Sequence, residues 1–137
     1  MRISKKGLYA LQALMNLTRH FAEGPIKIRQ IAAEEGIPTK FLELILLDLK
    51  TARFVESVRG ANGGYQLRQP PSKIYLGDVI RTIDGPLAPF GDAALLKKLV
   101  ARDKRHSALY RIFLDVRNSA SRILDETSLD DLGRRND

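Results

Sequence analysis

The residues with the clearest chemical potential lie in one short stretch, from Thr39 to Leu44. The ammonium of Lys40 is able to donate to a guanine or a phosphate, and the carboxylate of Glu43 is able to accept from the amino group of a cytosine. Phe41 and Leu44 offer apolar surface of the kind that contacts the methyl group of thymine. Together with Thr39, these side chains are candidates for contact with base edges in a DNA major groove.

Two predicted helices joined by a tight turn would position this stretch. The first would run from about Ile28 to Glu35 and end where Gly36 takes the left-handed conformation. Pro38 favours a helix start, and the Thr39 hydroxyl is placed to bond a free N–H of the first turn. One buried face of the second helix is predicted from residues at i, i+3, i+4 and i+7: Leu42, Ile45, Leu46 and Leu49. Such pairs of helices also occur in proteins that do not bind DNA, so an ordinary core helix remains open.

The segment after the second helix favours the DNA-binding interpretation. Residues 54–59 and 65–68 are typical of a short hairpin with a glycine-rich tip, in which Val55 and Val58 would be the apolar positions. Glycines allow close approach of a backbone, and Arg59 beside such a tip is suited to a DNA minor groove. The sequence therefore predicts a winged helix-turn-helix, with Arg59, Gly60 and Asn62 as candidate contacts.

The charge of the chain is unevenly distributed. Its formal net charge is +7, with 12 Lys and Arg against 6 Asp and Glu in residues 1–73, but 11 against 10 in residues 74–137. An excess of positive charge is expected of a protein that neutralises phosphates. Here the excess lies in the half that contains the predicted helix-turn-helix and hairpin, which together we call the reading head. A solvated basic surface without a partner is the alternative.

An N-terminal helix is predicted behind this head, with Ser4 as its cap. Its apolar face would comprise Leu8, Leu11, Leu14 or Met15, Thr18 and Phe21. Arg2, Lys5 and Lys6 cluster at its start, where a helix N-terminus also favours a phosphate. A frayed, solvated terminus explains the same residues, and His20 fits a capping or surface role better than a ligand.

Several classes of function are disfavoured by composition. Without cysteine the chain has no disulfide, thiol nucleophile or thiolate metal site. Its two histidines are 86 positions apart and suggest no nucleophile–base pair, and Asp130-Asp131 fits a helix-end charge pair better than a metal site. With no long apolar stretch and no leader pattern, we expect a cytoplasmic protein without a membrane partner.

The remainder of the chain divides into three parts. A short amphipathic helix is predicted between Ile74 and Ile83, followed by an extended linker from Pro86 to Phe90. We therefore predict a DNA-binding domain over residues 1–85, a linker with a short packing helix over 86–106, and a long helix with a loose tail over 107–137. The short helix would pack through Ala93, Leu95, Leu96, Leu99 and Val100.

The long helix carries an apolar seam from about Ser107 to Asp125. The seam comprises Leu109, Ile112, Phe113, Val116, Ala120 and Ile123, with Arg111, Arg117 and Arg122 on other faces. Such a helix in a small chain needs cover. A symmetry mate would supply it in a homodimer, and packing on its own domain is the alternative. In a homodimer, two heads would meet half-sites spaced by whole turns of the duplex.

The chain resembles the Rrf-two family of winged-helix regulators, nearly without break from residue 1 to about 90. The motifs that carry the resemblance are Arg2-Ile3-Ser4, Lys6-Gly7, Tyr9-Ala10, Ile31-Ala32, Gly36-Ile37, Leu42-Glu43, Val58-Arg59-Gly60, Gly63-Gly64-Tyr65, Asp78-Val79-Ile80 and Asp84-Gly85. Beyond residue 90 the resemblance thins to Ala108-Leu109-Tyr110 and residues 129–132. It implies a dimeric transcription regulator in which Glu43 takes part in base readout and Arg59 enters the minor groove, and we expect this regulator to be a repressor.

Departures from the family pattern bear on mechanism. Many members hold an iron-sulfur cluster through three cysteines, but the corresponding stretch here, GDAALLKKLVARDKRH, has none. Its Asp92, Lys97, Lys98 and His106 do not make a cluster site. The chain thus resembles the cluster-free members, which answer to partner proteins or small molecules, and we expect no cofactor. On the second helix, Leu44 and Leu47 occupy positions that the family more often fills with polar residues, and Asp48 places a negative charge near the phosphates. One interpretation is that these differences alter the operator sequence. The alternative, which we expect, is that Leu47 turns inward into the core.

The sequence therefore predicts a mainly α fold: a winged helix-turn-helix with a short β-hairpin wing and a long C-terminal dimerisation helix. The expected partners are double-stranded DNA, a second copy of the chain and an unidentified effector. A winged helix that docks proteins rather than DNA is the competing class.

Overall fold

The computed structural model describes residues 1–136, and Asp137 lies outside the described residues. Within this range the chain forms seven helices and one two-stranded antiparallel hairpin. The helices are α1 (Lys5–Arg19), α2 (Ile28–Glu35), α3 (Thr39–Thr51), α4 (Leu76–Asp84), α5 (Ala93–Arg102), α6 (Ser107–Asp125) and α7 (Leu129–Asn136), and the strands are β1 (Val55–Val58) and β2 (Gly64–Leu67). The mainly α winged helix-turn-helix predicted from the sequence is confirmed.

Helices α2 and α3 form the helix-turn-helix with the predicted bounds. Gly36 ends α2 in the left-handed conformation, with φ 67° and ψ 32°. Ile37 is buried between the helices, and α3 buries the predicted row of leucines and isoleucines. The predicted hydroxyl cap is wrong: Pro38 occupies the cap position, no side chain caps α3, and Thr39 is the first helical residue.

Helix α1 runs behind the head, but its buried face differs from the prediction. The buried apolar residues are Ala10, Ala13, Leu14 and Leu17, whereas Leu8 and Phe21 are exposed. Small alanines allow the backbone of α1 to come close to α2, α3 and α4, which it contacts. A pattern search that follows only large apolar residues therefore selects the wrong stripe of this helix.

A third segment of backbone, at Ile26, pairs with the hairpin. The strands of the hairpin pair Val55 with Leu67 and Val58 with Gly64. The backbone N–H of Ile26 donates to the carbonyl of Tyr65, and the N–H of Tyr65 donates to the carbonyl of Ile26, with both N···O distances 2.8 Å. An added Cβ at Gly64 would collide with the Ile26 carbonyl, so glycine is required where this segment crosses the hairpin. Val58, expected to be an apolar position of the strand, is exposed.

The start of α1 is bound to the end of α4 by one carboxylate. Ser4 caps α1 by accepting from the Gly7 N–H at 2.9 Å. Its own N–H donates to Asp84 Oδ2 at 2.9 Å, and its hydroxyl donates to Asp84 Oδ1. A Cβ at Gly7 would collide with the same carboxylate. Ser4, Gly7 and Asp84, which belong to the motifs that carry the family resemblance, thus fix the start of α1 against the end of α4.

The C-terminal part packs back onto the head. Arg81 of α4 makes two bonds of 2.7 Å to Asp125 of α6, and this bonding lowers the pKa of Asp125. Helix α7 lies against α1 and buries Leu129 completely. Ser128 caps α7 by accepting from the Asp131 N–H at 3.1 Å. The prediction of a loose tail after Leu132 is therefore wrong for residues 133–136, which belong to α7.

Contacts also cross the predicted division at residues 85 and 86. Leu87 and Ala88 of the linker are buried, so this short segment is fixed against its surroundings. Helix α5 packs on α6 and buries Leu96, as the predicted packing helix should, although Leu95 is exposed. The three-part division of the chain stays a prediction. None of the helices within residues 1–136 is long and apolar enough to span a bilayer.

Candidate nucleic-acid interface

The outer face of α3 is open along its whole length. Lys40, Glu43 and Leu44 are exposed on it, as is Thr39 at its start. Leu47 was expected to turn inward, and this expectation is wrong: 57% of Leu47 is exposed, close to the 60% of Leu44. With core contacts made by residues on the opposite face, these side chains are available to a partner.

Phe41 has a different environment from its neighbours. It is partly buried, packs against the core, and meets the Tyr9 ring edge-on with 5.6 Å between ring centroids. The ammonium of Lys5 lies 5.6 Å from the centre of the same Tyr9 ring. Phe41 therefore joins α3 to α1 and is only partly exposed, and the base contact that the sequence suggested for it stays a prediction.

The three N-terminal cations are not equivalent. Arg2 and Lys5 are exposed. Lys6 pairs with Asp48 of α3, with 2.5 Å between Nζ and Oδ2. The pair brings the start of α1 beside α3 and offsets the negative charge of Asp48, which the sequence placed near the phosphates.

The tip of the hairpin projects three predicted contacts: Arg59, Gly60 and Asn62 are all exposed. Gly60 has φ 107°, a conformation that favours glycine. Gly63 behind it is buried, and an added Cβ there would collide with the Val58 carbonyl. The glycines thus fold the tip tightly and leave Arg59 at its margin.

Sequence reasoning missed two cations that lie beside the tip. Lys27 and Arg29 flank the first residue of α2, both are exposed, and both line a groove shared with Asn62 and Gly63. Lys27 Nζ donates to the Gly63 carbonyl at 3.4 Å. No side chain caps α2. Alternation of Lys and Arg around Ile28 at a helix start was the available signal.

A polar network holds α2 against α1 and so positions the helix-turn-helix. Asn16 is fully buried and donates to Glu34 Oε1 at 2.9 Å and to Glu35 Oε2 at 2.8 Å. His20 lies 3.0 Å from both Glu23 and Glu34. Hydrogen bonds with these two carboxylates raise the pKa of His20. The histidine is thus a structural residue at the end of α1, as its sequence position suggested.

Helix α6 exposes much of its predicted seam. Leu109, Ile112, Val116 and Ile123 are exposed and follow each other at spacings of three, four and seven residues. Phe113 and Ala120 are only partly exposed. Four aliphatic side chains therefore form a stripe along most of the helix, and α5 covers a different side.

The region of the expected cluster loop does not fit an iron-sulfur cluster. The full sequence contains no cysteine. Within residues 1–136, no group of three His, Asp or Glu side chains is arranged to hold a metal ion. In this region α5 carries Lys97 and Lys98 and packs through Leu96. None of these side chains supplies the thiolate ligand that iron-sulfur clusters use.

A family model settles the relationship that these features suggest. The Rrf2 model, described as iron-dependent transcriptional regulator, matches residues 3–135. The chain belongs to the Rrf2 family. Because the family and its curated relatives are transcriptional regulators, the chain is a DNA-binding regulator and not an enzyme.

Relatives of this Rrf2 chain match all of it or a large part of it. It is 32% identical to the regulator CymR of Bacillus subtilis over 137 residues, which are 100% of this chain and 93% of that protein. A putative regulator of Mycobacterium tuberculosis is 39% identical over 132 residues, covering 96% of this chain and 81% of that protein. The IscR regulator of Aliivibrio salmonicida is 38% identical, but over only 61% of this chain and 50% of that protein.

Solved structures show the same fold. The structure of CymR, the global cysteine regulator of B. subtilis, superimposes with a TM-score of 0.85 at 33% identity, covering 100% of this chain and 99% of that chain. The structure of IscR from T. potens gives a TM-score of 0.73 at 33% identity, covering 100% and 89% of the two chains. The similarity thus includes the part beyond residue 90, where the sequence motifs thin.

Proposed function

We propose that two copies of this chain bind a palindromic operator and repress transcription, without an iron-sulfur cluster. The observation that carries the proposal is the joint exposure of the α3 face and the hairpin tip on the cationic half of the chain. A helix and a wing on one surface match a major groove and an adjacent minor groove. A dimer on a promoter would exclude polymerase from it, which is why we propose repression. Because a transcription regulator must reach chromosomal DNA, we also propose that the protein is cytoplasmic.

Each proposed contact has a distinct task. On α3, Glu43 and Lys40 would bond base edges, while Thr39 at the helix start would bond a phosphate. On the wing, Arg59 would enter the minor groove, with Gly60 and Asn62 allowing the tip to approach the backbone.

Cations around these contacts would fix the head on the duplex. Lys27 and Arg29 beside the wing, and Arg2 and Lys5 at the start of α1, are exposed and would contact phosphates. Lys6 would join them only by leaving Asp48. Phosphate contacts of this kind set orientation and carry no sequence information.

The stripe on α6 supports the homodimer. Ile112 and Ile123 expose 59% and 57% of their surface, an unfavourable state that a second copy of the helix would relieve. Crossing of two such helices would set the heads at half-sites separated by about 10 base pairs or a multiple of that spacing.

Selection from a random duplex library tests the proposal. We expect enrichment of a palindrome, binding as a dimer, and affinity that falls steeply between about 50 and about 200 mM salt because neutralised phosphates release counterions. A monomer that enriches no sequence at low salt would contradict it. The alternative, a winged helix that docks a protein, is favoured by exposed Leu44 and Leu47 and predicts binding that salt does not weaken.

The absence of a cluster has its own test. Since the chain lacks cysteine, we expect the protein purified under anaerobic conditions to be colourless and free of stoichiometric iron. A visible absorbance band accompanied by stoichiometric iron would overturn this part of the proposal. Control by a small molecule or partner protein is the mode of regulation that we propose in its place.

A further inference from the structure

Two leucines occupy the middle of the outer face of α3. Lys40, Leu44, Leu47 and Thr51 follow each other at i, i+4, i+7 and i+11, directly opposite the buried row. More than half of each leucine is exposed. Any partner that lies along α3 therefore meets these two side chains before it meets the polar residues at the margins.

The chemistry of leucine restricts what it recognises in a groove. Leucine has no donor or acceptor, and polar base edges placed against it would lose water without compensation. The major groove presents one apolar group, the methyl at C5 of thymine, and 5-methylcytosine carries a methyl at the same place. The two leucines are thus complementary to a 5-methylpyrimidine and to no unmodified guanine, adenine or cytosine edge.

The surroundings of the pair favour DNA over an apolar protein surface. Lys40 lies on the same face, Lys50 is exposed near the end of α3, and Arg59 lies at the neighbouring wing. Asp48, the carboxylate next to Leu47 in sequence, is paired with Lys6. The exposed carboxylate of Glu43 also lies on this face, where it is able to accept from a cytosine amino group. An apolar pair among three cations and one base-reading carboxylate matches a polyanion that carries methyl groups.

We propose that Leu44 and Leu47 read the 5-methyl groups of pyrimidines in the major groove, and so determine operator specificity. This inference rests on the proposed DNA-binding function. Each methyl buried against a leucine should change affinity roughly fourfold, the value expected for one methylene-sized group removed from water.

Base analogues test the proposal directly. A duplex selected by the wild-type chain is resynthesised with deoxyuridine in place of each thymine in turn, which deletes only the methyl. At the same positions, C·G and 5-methylcytosine·G pairs are compared, which separates the methyl from the rest of thymine. Fluorescence anisotropy then measures the affinity of the wild type, Leu44→Ala, Leu47→Ala and Leu8→Ala. Leu8 is a control, a leucine of α1 that is 48% exposed.

The expected result is position-specific. At one or two positions per half-site, the wild type should bind thymine and 5-methylcytosine roughly fourfold more tightly than their unmethylated counterparts. Leu44→Ala and Leu47→Ala should each abolish this preference at one position, and Leu8→Ala should retain it. Circular dichroism confirms that the variants remain folded.

Three results would overturn the proposal, and they are distinguishable. Tight binding to a selected duplex, with equal affinity for methylated and unmethylated pyrimidines at every position, refutes methyl reading and leaves the DNA-binding function intact. A methyl preference that survives both leucine substitutions does the same. Failure to select any duplex refutes the DNA-binding function itself, and methyl reading with it.

Discussion

Two surfaces of this chain expose large aliphatic side chains, and their surroundings differ. On α3, two leucines are set among charged residues, namely Lys40, Glu43, Lys50 and the wing arginine. On α6, four aliphatic side chains form a continuous stripe. The first surface is complementary to a polyanion with a few methyl groups, and the second to another apolar helix. Exposed leucine or isoleucine alone therefore does not identify a partner; the neighbouring charges and the length of the stripe do.

The largest effect that would test this contrast is expected on α6. Ile112→Asp should turn the dimer into a monomer, because a buried carboxylate opposes closure of an apolar interface. DNA affinity should fall about 100-fold or more, since two linked half-site contacts become one. Sedimentation equilibrium and anisotropy measure the two changes. Ile112→Leu is the matched control and should remain a dimer. A dimeric Ile112→Asp with unchanged affinity would remove α6 from the interface.

A smaller but still large effect is expected at the wing, where charge should govern binding. Arg59→Ala should weaken binding to most sequences by about tenfold or more and reduce the salt slope by about 1. Glu43→Ala should lose less affinity and relax the preference at one base pair by about 1 to 3 kcal/mol. Affinity panels at several salt concentrations separate the two. Equal, sequence-independent losses from both substitutions would contradict the assigned roles.

An increase in DNA affinity is expected when the ion pair between α1 and α3 is removed. Asp48→Asn removes a carboxylate from the edge of the cationic surface and frees Lys6, so binding should tighten about two- to fivefold at low salt. Asp115→Asn on α6 makes the same change of charge in an exposed residue outside that surface and should have little effect. If both substitutions tighten binding equally, net charge and not the position of Asp48 is responsible.

The parts of the fold that local signals specify were predictable. Gly36 and Pro38 mark the turn between α2 and α3, and the row from Leu42 to Leu49 identifies the buried face of α3. The glycines of the hairpin mark the wing in the same way. In each case the residue type answers a requirement of the backbone or of periodicity within a few positions.

The sequence predictions failed where contacts between residues far apart in the chain determine the structure. Leu47 is exposed on the face opposite the buried row, and Phe41 is partly buried because Tyr9 of α1 packs against it. Helix α7 was missed because its formation depends on burial of Leu129 against α1 and not on a long periodic pattern. Lys27 and Arg29 acquire significance only when the hairpin folds back beside α2.

The smallest effect is expected in the network that holds α2 on α1, on neither exposed surface. Hydrogen bonds with Glu23 and Glu34 raise the pKa of His20 above its ordinary 6.5, so its stabilisation is present below that value and is lost as pH rises through the raised pKa. Hydrogen bonds from Asn16 and then His20 lower the pKa of Glu34 below its ordinary 4.5, so its share is lost when acid protonates it. The wild type should exceed His20→Gln by about 1 to 2 °C in Tm near pH 5.5 and lose that advantage by about pH 8.5. A larger advantage at the alkaline end would reverse the sign of the linkage and exclude His20 from the network that orients the reading helix.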